Sequence, residues 1–290
     1  MQSTQKEITD SLKNINITKS CRFIGKTALI TGASSGIGAA AASSLAAHGL
    51  KVILVARRRE KLKQLAREIS ALGSQALVMT ADLSILQGAE QLVCDLFQKG
   101  FSVDVLVNNA GFGWYGYYAD MPWQTAAEML QVNVSTVIQL TRLLLPGMLE
   151  RRCGHIINIG SIAGSMPNQG IAVYSASKAF LDAFTTSLHR ELRGSGVQIS
   201  VVRPGPVRTE FFQTACTLPE GSSIPGERFA VSAKRVAGTI VNLLNHPRRV
   251  VFVPWFLGVS GWFELAFGGL IDRLGPLLLR RRQKPLKTSI

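Results

Sequence analysis

A chain of 290 residues lies between one large domain and two small ones, and its 47% hydrophobic against 17% charged residues exclude disorder over most of the length. The balance of 32 Lys+Arg against 18 Asp+Glu gives +14, which favours anionic partners such as nucleotides, acyl carriers, nucleic acid or anionic lipid. Cys21, Cys94, Cys153 and Cys216 lie far apart with no CxxC pair, so neither a disulfide framework nor a metal site is expected and a reducing, cytoplasmic setting fits.

Residues 1–25 read as a polar extension without the apolar run of a secretory signal. From 26 to 253, short β-branched runs alternate with segments of helical period. The strand-like runs are 27–31, 51–56, 75–79, 104–108, 155–159, 198–203 and 249–253; the helical segments are 36–48, 59–71, 86–99, 125–149, 173–193 and 232–245. This alternation predicts one α/β domain, a doubly wound parallel sheet of seven strands with helices on both faces. Val52-Ile53-Leu54-Val55 and Ile156-Ile157 are the continuous apolar runs that strands buried on both sides require. Residues 209–231, rich in Thr, Pro, Gly and Ser, show no clear period and read as a substrate lid.

TGASSGIG at 31–38 follows the first strand and opens an Ala-rich helix. Gly32, Gly36 and Gly38 suit a tight turn that lets backbone approach a pyrophosphate, with the helix N-terminus turned to the anion. A fold of this kind that selects NAD places an acid after the second strand; here Ala56 is followed by Arg57 and Arg58. Arginine's planar fork suits a 2′-phosphate, so NADP(H) is expected, with Arg57 the first contact and Arg58 the second. Arg59, Lys61 and Lys63 read as the solvated start of a surface helix. Asp82 is either an acceptor for the adenine amino group or a turn residue.

Tyr174 and Lys178 are four apart, on one face of a helix, where an ammonium acidifies a phenol toward a useful range for proton transfer. Ser161 follows the fifth strand, at the carboxyl edge where ligands bind. Taken together, TGASSGIG, NNAG (108–111), Asn133, Ser161, YSASK (174–178) and PGPVRT (204–209) resemble, in order and spacing, the short-chain dehydrogenase/reductases of the single-domain Rossmann subgroup.

The resemblance implies an NADPH-dependent reductase of a lipophilic or acyl-type ketone. Tyr174 is then the proton donor, Ser161 orients the carbonyl oxygen, Lys178 binds the nicotinamide ribose, and Asn133 holds a water link to the lysine. It also implies cofactor contacts from Ser34, Ser35 and Ile37 in the glycine loop, Leu83, Asn109, Ala110, Gly111, Pro204, Gly205, Val207 and Thr209, and a dimer or tetramer. An alcohol dehydrogenase working oxidatively stays open, as does a nucleotide sensor. No nucleic acid is expected, because no basic stripe with interleaved aromatics accompanies the charge.

The tail at 254–290 adds Trp255, Phe256, Trp262, Phe263, Leu265 and Phe267, then Arg280-Arg281-Arg282, Lys284 and Lys287. Such a composition suits a segment lying in a membrane interface, or one packed on the protein or a second copy. Glu264, Pro254 and the glycines argue against a spanning helix.

Overall fold

The computed structural model describes residues 23–211, 218–219 and 230–278. The extension at 1–22, most of the expected lid and the last twelve residues lie outside them.

Among the described residues nine strands, β1 (Thr27–Thr31), β2 (Lys51–Ala56), β3 (Ala76–Thr80), β4 (Val105–Asn108), β5 (Gly154–Ile159), β6 (Val197–Pro204), β7 (Val207–Arg208), β8 (Val231–Ser232) and β9 (Val250–Val253), alternate with eight α-helices. These are α1 (Gly36–Ala47), α2 (Arg59–Ala71), α3 (Gly88–Gln98), α4 (Trp123–Leu130), α5 (Thr136–Glu150), α6 (Ala172–Glu191), α7 (Ala233–Asn245) and α8 (Ser260–Leu278). Seven strands form one parallel sheet in the order β3-β2-β1-β4-β5-β6-β9, while β7 and β8 pair separately. The expected doubly wound sheet is the one observed.

The sheet is buried on both faces. Leu29, Ile53, Leu54, Ile156 and Ile157 are essentially inaccessible, each worth about 1.5–3 kcal/mol of transfer free energy. On one face Ala41, Leu45, Ile240 and Leu244 of α1 and α7 join Ile30 and Leu54; on the other, Leu92, Leu96, Leu140 and Leu144 of α3 and α5 join Leu29 and Ile156. Strand order reverses between β1 and β4. Loops leaving the carboxyl ends there diverge to opposite faces and open a crevice, which positions everything below.

The periodicity predicts one helix over 125–149, but the structure interrupts it with a π-helical turn at Gln131–Ser135. One extra residue in the turn rotates Asn133 into the interior, where it is fully buried. Trp123–Glu150 is long and apolar enough by composition to cross a membrane. Its buried residues, among them Met129, Leu140 and Met148, instead lie in the protein core.

Candidate active site

The glycine loop turns where β1 ends. Gly32 (φ +66°) and Gly36 (φ +57°) take left-handed conformations that favour glycine, and a Cβ on Gly38 would lie 2.4 Å from the Gly32 carbonyl. The NNAG segment straps this turn down. Asn109 Nδ2 donates to the carbonyls of Thr31 (2.8 Å) and Gly32 (3.3 Å), and the Asn109 and Ala110 amides donate to Thr31 Oγ1 at 3.0 and 2.9 Å. Ile37 faces the core, so Ser34 and Ser35 are the hydroxyls the loop presents.

Those hydroxyls meet Arg58. Its Nε and Nη2 donate to Ser34 Oγ at 3.0 and 2.8 Å, and Nη2 donates to Ser35 Oγ at 2.7 Å. Arg57 turns away, its side chain 71% exposed and 4.0 Å from Asp82. Of the two expected phosphate contacts, Arg58 is the one that bonds the glycine loop, and Arg57 points to the Asp82 side. Lys61 is not merely solvated: with Arg58 it grips the Glu210 carboxylate, both pairs at 2.5 Å. Asp82 accepts from the Ser84 amide (2.9 Å) and hydroxyl (2.7 Å), the turn role, and those bonds hold its carboxyl below the usual range against partial burial. The carbonyl of Leu83 accepts from Thr136 Oγ1 at 2.9 Å.

At the opposite end of the crevice, α6 carries Tyr174 and Lys178 one turn apart. Lys178 Nζ lies 5.7 Å from the Tyr174 ring centroid and donates to the Ile159 carbonyl at 2.9 Å. Burial pulls the ammonium down to about 8 and pushes the phenol above its ordinary value, although the Ser161 hydroxyl bonded to it acts the other way. Of the two influences on Tyr174, burial is the larger. Ser161 Oγ also accepts from the Ala163 amide (3.1 Å), which fixes its rotamer.

Asn133 joins the two loops. Its Oδ1 accepts from the Phe112 amide at 3.1 Å, and its Nδ2 donates to the Phe112 carbonyl (3.0 Å) and Ser177 Oγ (3.1 Å). Gly111 is required beside it: a Cβ there would stand 2.8 Å from Asn133 Oδ1. Pro204 ends β6, Gly205 donates to the Val253 carbonyl (2.9 Å), Val207 is buried in β7, and Thr209 packs against Gly36.

Sequence reasoning missed Asp182 and Arg203. Asp182 lies one turn beyond Lys178 and accepts from Arg203 Nε at 2.8 Å, while Arg203 stacks over Phe252 at 5.2 Å. The spacing that paired Tyr174 with Lys178 also leads from Lys178 to Asp182; the partner on β6 had no local signal.

Beside Tyr174 opens a cavity of about 190 Å³ lined by Trp114, Tyr117, Met121, Met129 and Val173. An apolar chamber against a phenol-serine pair can seat a carbonyl and its hydrocarbon. At the other end, a glycine-lined turn and a cation cradle that already holds a carboxylate fit the pyrophosphate and extra phosphate of a dinucleotide.

Known proteins agree with this geometry. The chain is 40% identical over 195 residues to a very-long-chain 3-oxoacyl-CoA reductase of Anas platyrhynchos, the match spanning 64% of this chain and 61% of that protein. It is 36% identical over 229 residues to the ketoacyl reductase HetN of a Nostoc strain, covering 79% and 78% of the two chains. A metagenomic short-chain oxidoreductase solved in complex with NADP superposes with a TM-score of 0.68 at 34% identity, over 80% of this chain and 97% of that one. The family description that matches residues 26–217 is short chain dehydrogenase, and the chain belongs to that family of oxidoreductases.

Proposed function

We propose that the protein reduces the ketone of a lipophilic 3-oxoacyl thioester to the secondary alcohol with NADPH. The observation that carries this reading is the aromatic and methionine-lined cavity ending at Tyr174. The names of two relatives, a 3-oxoacyl-CoA reductase and a ketoacyl reductase, support the acyl class.

Ser34, Ser35 and Arg58 would hold the adenosine phosphate, the amides around Gly36–Gly38 the pyrophosphate, and Lys178 with Asn133 the edge near the reacting ring. The bound cofactor supplies hydride. The chain supplies the proton: Tyr174 gives its phenolic hydrogen to the carbonyl oxygen, Ser161 holds that oxygen, and the ammonium of Lys178 stabilises the phenolate that results. Trp114, Tyr117 and Met129 line the acyl side.

The tail extends the reading to a peripheral membrane contact. Trp255, Trp262 and Leu265 are 81%, 77% and 82% exposed. Ser260, at the start of α8, bonds Ser165 in the loop after Ser161 (3.2 Å), so this apolar surface lies next to the catalytic loops. The basic run that follows in the sequence suits anionic lipid. NADPH oxidation measured against 3-oxoacyl thioesters of increasing chain length, steroid ketones and aromatic ketones tests the substrate. Turnover that rises with acyl length is expected; activity confined to short or aromatic ketones overturns the acyl reading.

A further inference from the structure

Three successive residues dock on three parts of the cofactor crevice. Thr209 packs on the glycine loop so closely that its Cγ2 would lie 2.9 Å from a Cβ on Gly36. Glu210 enters the cradle between Arg58 and Lys61. The Phe211 ring sits 5.4 Å from that of Tyr174 and would touch a Cβ on Gly113 at 2.7 Å. The glycines at 36 and 113 leave room for this strap, so the place of Glu210 is fixed from both sides.

Glu210 does more there than neutralise a surface. Its carboxylate takes up the Arg58 guanidinium edge left over from the bonds to Ser34 and Ser35 and draws in Lys61 from α2. Two cations and the Ser35 hydroxyl around one anion, with the Ser34 hydroxyl on the same guanidinium, make a donor set that suits a phosphomonoester, and a dianion with three acceptor oxygens satisfies it better than a carboxylate. The bonds from Lys61 and Arg58 hold Glu210 down to about 2, so it stays ionised at any working pH.

We propose that Glu210 is the resident counter-ion of the 2′-phosphate cradle, that it is exchanged for the phosphate when dinucleotide binds, and that Lys61 is a third phosphate ligand beside Arg58 and Ser34. The proposal rests on the NADPH reading above. Exchange has two consequences. The cations stay ordered on the glycine loop, so the cradle is formed before the nucleotide arrives. The carboxylate also competes with the phosphate, which weakens binding and hastens release of the oxidised cofactor.

Calorimetric binding of adenosine 2′,5′-bisphosphate and of 5′-ADP to the full chain tests this without turnover. Glu210→Gln should bind the bisphosphate about three- to tenfold more tightly, the scale of one or two exposed ion pairs, and leave 5′-ADP unchanged. Lys61→Met should weaken the bisphosphate by a similar factor, again sparing 5′-ADP. Weaker bisphosphate binding in Glu210→Gln would show a clasp over bound nucleotide, and unchanged binding a plain surface pair; either overturns the exchange. Unchanged binding in Lys61→Met removes Lys61 from the cradle. Wild-type protein that fails to prefer the bisphosphate over 5′-ADP refutes the NADPH reading itself, a result distinct from the others.

Discussion

The two ends of the crevice solve opposite electrostatic problems. At the phosphate end Arg58, Lys61 and Glu210 are roughly half exposed, and their pairs are close but screened. At the hydride end Lys178 is 6% exposed, Asp182 is buried, and Arg203 is largely covered, so every charge there acts at full strength and at a desolvation cost. Solvent makes the first end exchangeable and forgiving. Its exclusion makes the second precise and fragile, which suits the proton transfer proposed for it.

Substitutions should expose that contrast. Tyr174→Phe removes the proton donor and should cost at least a hundredfold in kcat, on the scale of about 10² to 10⁴ for general acid catalysis, with cofactor binding retained by titration. Retained turnover would assign the proton elsewhere. Asp182→Asn leaves Arg203 without its counter-charge beside Lys178 and should cost about 3 kcal/mol in denaturant unfolding, because breaking a buried pair strands the survivor. A loss below about 1 kcal/mol would mark the pair as solvated.

The pH response carries a sign for each property. Lys178 loses its proton near 8 when folded and near 10.5 when not. Reduction should therefore hold level below about 8 and fall above it, as the ammonium that supports the phenolate disappears. Stability should instead rise from about 8 to 10.5, because there the unfolded chain binds the extra proton. Parallel profiles would contradict the assignment. The smallest effects belong to the exposed end. Arg58→Ala should weaken NADPH roughly tenfold at low salt and less at high salt, whereas Arg57→Ala should change it by under about threefold. Equal losses would return Arg57 to the cradle.

Sequence patterns made the sheet legible because strands buried on both faces carry continuous apolar runs, as at 52–55 and 156–157. The glycine loop was legible for a similar reason: few sequences tolerate Gly32 and Gly36 in their conformations unless something approaches the backbone. Pairings between distant segments were not. Arg58 with Glu210 spans 152 positions and Arg203 with Asp182 spans 21, and neither leaves a periodic trace. Which of Arg57 and Arg58 meets the glycine loop depends on which way one backbone unit faces, and residue type alone does not carry that.

The π turn at Gln131–Ser135 means that the rod from Trp123 to Glu150 is one residue longer than its regular turns require. Excising a single position there would let the rod relax into an unbroken α-helix whose two halves keep their facing toward the sheet, because the wide turn is what absorbs the extra residue. Asn133, carried by that turn, would leave Phe112 and Ser177. Regularity and packing thus compete within five residues, and a chain shortened by one could gain a better helix only by giving up the Asn133 bridge between Phe112 and Ser177.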